Sequence, residues 1–116
     1  MAEEHSVDSL AGLRRKIDAL DEALVRLLNA RAACALEIGR VKKHAGLPIY
    51  QPSRVAEVLD HVQEINPGPL DNGAVRRLFE RIIDEARRLE RIAEGSGGQD
   101  GEVSRAGKSD AEPADG

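Results

Sequence analysis

An apolar stripe of helical period, sustained for about thirty residues, constrains this chain more than anything else in it. It is carried by Leu10, Leu13, Ile17, Leu20, Leu24, Leu27, Leu28, Ala35 and Ile38. Steps of three and four keep such residues on one face of a helix. Asp8 or Ser9 can cap that helix, and it should run to about His44, some 35 residues, before Gly46, Pro48 and Pro52 break the chain. Ordinary globular helices run roughly 8–20 residues. A helix so much longer needs an unusual partner, either a coiled coil or an intertwined dimer.

Two further helices follow. Pro52 suits the first position of one, with Gln51 or a neighbour at the cap. It covers about 53–65 and should bury Val55, Val58, Leu59 and Val62. Asn66-Pro67-Gly68-Pro69 is a stop. Asp71 or Asn72 caps the next helix, about 73–94, whose stripe reads Val75, Leu78, Phe79, Ile82, Ile83, Ala86 and Leu89. Gly95-Ser96-Gly97-Gly98 should end it. Residues 1–7 read as a frayed leader, and 95–116, acidic and rich in Gly and Ser, as a disordered tail. The expected fold is therefore all-α, a three-helix protomer over residues 8–94 with one long N-terminal helix. A chain of 116 residues has room for one such domain, and its small core favours oligomerisation.

Arg31 and Lys42 fall on the apolar stripe of the first helix. Eleven residues is close to three turns, so the two point to nearly the same side, about 16 Å apart. Each could snorkel to solvent. As a pair in register, with Ala32, Ala35 and Gly39 opening space between them, they favour a site for a small anion. Arg14 lies 17 residues before Arg31, rotated about 100° away on a straight helix. It either joins that site from another chain or pairs with Asp18 one turn on. Glu90 continues the stripe of the third helix. It is either an exposed acid near a helix end or a partly buried one, with a raised pKa and a proton to donate. Arg54 opens the second helix, where the helix dipole does not favour a cation.

The remaining residues narrow the class of function. Residues 1–94 hold 15 Lys and Arg against 16 Asp and Glu, so the net charge of −4 sits mostly in the tail. No basic face for nucleic acid forms. No apolar run reaches the ~20 residues that span a bilayer, and residues 1–6 lack the apolar core of a secretory signal. A cytoplasmic protein is the expectation. Cys34, the single cysteine, reads as a small packing residue. There is no Ser–His–Asp grouping, no glycine-rich phosphate loop and no cluster of metal ligands, so neither a metal nor another cofactor is expected. Arg, Lys and one acid suit chemistry without a nucleophile, in which a dianion is clamped and developing negative charge is stabilised.

Three stretches of the first helix carry a resemblance: Leu13-Arg14-Arg15-Lys16-Ile17-Asp18-Ala19-Leu20-Asp21, Leu27-Leu28-Asn29-Ala30-Arg31 and Ile38-Gly39-Arg40-Val41-Lys42. So do Gly46-Leu47-Pro48-Ile49-Tyr50, Arg54 and Leu78-Phe79-Glu80-Arg81-Ile82-Ile83. Over about residues 8–93 the chain resembles the all-helical chorismate mutases. The resemblance implies an interlocked homodimer with paired long helices and a [3,3] (Claisen) rearrangement of a cyclohexadiene dicarboxylate bearing an enolpyruvyl ether. By position, it implies that Arg31, and Arg14 from the partner chain, clamp the carboxylates. Lys42 and Glu90 would hydrogen-bond the ether oxygen, and Arg54 would complete the cationic wall.

Three positions depart from the family pattern. Gln51, Val55 and Ala86 stand where ordinary members tend to have Asp, Glu and Ser. The Glu of that pattern accepts a hydrogen bond from the C4 hydroxyl of chorismate, and valine cannot. A buried hydroxyl without its acceptor costs roughly 1–3 kcal/mol. Gln51-Pro52-Ser53-Arg54-Val55 instead resembles the 4-amino-4-deoxychorismate mutases of antibiotic precursor biosynthesis. Plain chorismate mutase, on the route to Phe and Tyr, is the alternative. An isochorismate–pyruvate lyase, similar at Arg54-Val55, is a second. A non-catalytic dimerisation module would explain the long helix but not Arg31, Lys42 and Glu90 on apolar faces.

Overall fold

The computed structural model describes residues 7–99. The expectations for residues 1–6 and 100–116 lie outside the described residues. Three α-helices follow one another: α1 (Val7–Ala45), α2 (Pro52–Glu64) and α3 (Asn72–Gln99), with no strand among the described residues. At 39 residues, α1 is longer even than its stripe implied.

Local sequence explains most of the boundaries. Gly46 takes a φ of 72°, which a side chain would strain. Its N–H donates to the Lys43 carbonyl at 3.2 Å, and the Leu47 N–H reaches the Lys42 carbonyl at 2.8 Å. This is a Schellman closure, and it ends α1. Gln51 is the residue before α2, in extended conformation, but its side chain makes no capping bond. Pro52 supplies the first helical turn instead. Asp71, not Asn72, caps α3: its Oδ1 accepts from the Ala74 N–H at 3.0 Å. Asn66 braces the intervening turn, donating through Nδ2 to the Leu70 carbonyl (2.7 Å) and Asn72 Oδ1 (2.9 Å).

Two expected boundaries shift. Val7, placed in the leader, belongs to α1. At the other end, α3 passes the expected stop at Gly95 and continues to Gln99. Gly95 does not enter the left-handed conformation that closes a helix, and no proline follows to block the next turn.

The chain divides into two compact units between Ala33 and Cys34. The first holds only α1 residues among those described, and nothing in it covers the stripe. Leu13, Ile17, Leu20, Leu24 and Leu27 are all more than half exposed. Cys34, expected as a packing residue, is exposed as well, because no neighbouring element covers it. In the second unit α2 packs on α3. Leu59, Val62 and Ile83 are buried there, while Val55 and Val58 reach only half burial.

Candidate active site

Within the second unit, the last turns of α1, the 46–51 connection and the last third of α3 converge. Gly39 faces Glu90: a methyl group on Gly39 would lie 3.7 Å from Glu90 Cγ and 3.8 Å from Cδ. These are ordinary contact distances, so the Glu90 side chain of α3 lies close beside the backbone of α1. Beside it is a cavity of about 200 Å³, lined by Leu36, Gly39, Arg40, Lys43, Ile49 and Glu90 among others.

Half-burial pushes the Glu90 carboxyl above the usual glutamate range. The cations Lys42 and Arg87 pull it back down, and the carboxylate of Glu94 adds to the rise. Desolvation is the largest of these effects, so the group holds its proton more tightly than an exposed glutamate does. Lys42 is half-buried, and its Nζ donates to the Ile49 carbonyl at 2.8 Å. An ammonium has three N–H donors, so two remain for a ligand after that bond is made. Lys42 is thus a cationic donor whose charge is felt at Glu90, an acid able to donate when protonated.

Arg54 is well exposed at the start of α2, and its Nη1 meets Glu57 Oε1 at 3.2 Å. A solvent pair of this kind contributes at most about 1 kcal/mol and leaves the guanidinium available. Gln51 and Val55 are half-buried where the connection enters α2, and Ala86 is half-buried on α3 one turn before Glu90. Arg14 is exposed and Arg31 half-exposed, both in the first unit. No ion pair joins Arg14 to Asp18 among the described residues.

Two further residues of the site, Arg87 and Tyr50, are not among the candidates drawn from the sequence. The Arg87 guanidinium carbon lies 4.1 Å from the centre of the Tyr50 ring. Its Nη1 is also 3.6 Å from Asp84 Oδ1. The signal was available: Ile83, Arg87 and Glu90 follow at steps of four and three, so Arg87 is a cation on an apolar stripe, as Arg31 and Lys42 are.

Three helices with a long first one, and a half-buried glutamate under the influence of a lysine, define the class as an all-helical protein. The chain belongs to the chorismate mutase type II family, whose sequence profile matches residues 13–91. A bifunctional chorismate mutase/prephenate dehydratase of Pseudomonas aeruginosa is 44% identical over 88 residues, 72% of this chain and 24% of that protein. The chain thus spans about a quarter of the length of such bifunctional relatives. A 4-amino-4-deoxychorismate mutase of Streptomyces pristinaespiralis is 34% identical over 94 residues, 80% of this chain and 73% of that one. Among solved structures, a chorismate mutase of Thermus thermophilus superposes with a TM-score of 0.70 at 35% identity, covering 72% of this chain and 94% of that one.

Proposed function

We propose that this chain is an isomerase that catalyses the [3,3] rearrangement of a chorismate-type dicarboxylate, with 4-amino-4-deoxychorismate as its preferred substrate. The observation that carries the reaction is a half-buried Glu90 whose desolvation favours its protonated form, within electrostatic reach of Lys42, whose ammonium is aimed by the Ile49 carbonyl. As the ether C–O bond breaks, negative charge grows on its oxygen. Lys42 and protonated Glu90 donate to that oxygen, and preorganised donors of this kind are worth about 10²–10³-fold each in rate. Arg31 and Arg14 clamp the carboxylates, Arg54 completes the cationic wall, and the clamp keeps the two reacting termini in contact. Holding the termini together replaces much of the entropy cost of reaching the transition state.

Arg14 comes from a second copy of the chain. The leucine and isoleucine stripe of α1, exposed along the first unit, is the surface that pairs with that copy. No helix among the described residues is long and apolar enough to cross a membrane.

Substrate preference rests on Gln51 and Val55. Both stand half-buried where the connection meets α2, and Val55 offers no acceptor to a C4 hydroxyl. The 34% identity to a relative named for the amino substrate, over most of both chains, supports this choice. The 44% identity to the mutase segment of the bifunctional relatives favours plain chorismate as the second reading. A side-by-side assay of kcat/KM on chorismate and 4-amino-4-deoxychorismate decides between them. Preference for the amino compound is expected. Preference for chorismate reverses the substrate assignment, and turnover of neither removes the reaction itself.

A further inference from the structure

Tyr50 and Arg87 complete a circuit around the site. Lys42 on α1 donates to the Ile49 carbonyl at 2.8 Å. The next residue, Tyr50, lies under the Arg87 guanidinium at 4.1 Å. Arg87 stands on α3 three residues before Glu90, and Glu90 lies back against Gly39, one turn before Lys42. Each link comes from a different segment: α1, the connection, then α3.

We propose that Arg87 and Tyr50 are positioning residues for the rearrangement, together pinning the 46–51 connection to α3 and so holding the Ile49 carbonyl that aims Lys42. The inference rests on the function proposed above and adds to it a device that sets the geometry of the catalytic donors. An arginine stacked on an aromatic face gives the connection an anchor at one defined point. Without that anchor the Ile49 carbonyl is free to move with the loop, and Lys42 loses its fixed direction.

Arg87 has a second effect on the same site. Its charge favours the ionised form of Glu90, opposing the burial that favours the protonated one. The other charged groups around that carboxyl are Lys42, Arg40 and Lys43 on α1 and Glu94 on α3. Removing Arg87 leaves desolvation less opposed, so Glu90 should hold its proton to higher pH.

The test uses Arg87→Gln, Arg87→Lys, Tyr50→Leu and Tyr50→Phe in the full chain. Activity is followed against pH on whichever substrate the wild type turns over best. In parallel, Glu90 is titrated by carboxyl ¹³C NMR, and amide exchange is measured across residues 46–51. Tyr50→Leu should lose about tenfold in kcat, with KM changed less and exchange in the connection accelerated. Tyr50→Phe keeps the ring face and should behave as wild type. Arg87→Gln should show the same loss, together with a Glu90 titration and a basic limb of activity both moved to higher pH. Arg87→Lys should restore the titration and part of the rate.

An unmoved Glu90 titration with unchanged exchange in Arg87→Gln would overturn the proposal. So would a Tyr50→Phe protein as impaired as Tyr50→Leu. If the wild type turned over neither substrate, the functional reading would fail, while titration and exchange would still decide whether Arg87 and Tyr50 position the site.

Discussion

Glu90 is the residue whose chemistry is most exposed to test. Its native pKa is raised, so between the ordinary glutamate value and the raised one the folded protein binds more protons than the unfolded chain. Stability contributed by this group is therefore present at low pH and declines as pH rises through that window. Glu90→Gln keeps the donor and removes the titration. We expect the variant to retain activity, to lose the decline on the alkaline side, and to gain stability over wild type as pH rises, read from urea midpoints at several pH values. A wild-type profile flat from about pH 5 to 9 would remove Glu90 as a proton-dependent donor. Lys42 allows a simpler prediction. Lys42→Ala should cut kcat by about 10²–10³-fold with the helical content unchanged by circular dichroism. The lysine contributes one hydrogen bond, to Ile49, and is not part of the buried core.

At the scale of elements, the ends of the helices carry the predictions. Gly46→Ala would force a side chain into a φ of 72° and should cost roughly 1 kcal/mol in chemical denaturation. Asp71→Ala removes the acceptor for the Ala74 N–H and should cost about 0.5–2 kcal/mol by the same measurement. These features also mark how far the sequence was readable. Period and punctuation located all three helices, because proline and glycine act locally and apolar spacing repeats. Which of Asp71 or Asn72 would cap α3 was not readable, since both side chains can accept and only the turn braced by Asn66 selects one. Gly95 misled for a related reason: glycine permits a helix end without requiring one. In the site, Lys42 and Glu90 stood out as charges on apolar stripes. The link through the Ile49 carbonyl did not, because a main-chain acceptor has no signature in the sequence. The contact of Tyr50 with Arg87 was equally silent, since the pairing of a ring with an arginine 37 positions away depends on how the chain folds.

For the whole molecule, the exposed stripe of α1 is the governing fact. Leu13, Ile17, Leu20, Leu24 and Leu27 each remain more than half exposed, a row of large apolar side chains along one helix. A second copy of the same helix is the partner that a self-complementary stripe suits, and a two-fold pair would present two equivalent sites. Each site would take Arg14 from one chain and Lys42 from the other. Two inactive variants, Arg14→Ala and Lys42→Ala, should therefore rescue one another when mixed by unfolding and refolding together. Random pairing gives half mixed dimers, each with one intact site, so recovery should approach about a quarter of wild-type activity. A mixture no more active than its parents would contradict a shared site that rearranges a chorismate-type substrate.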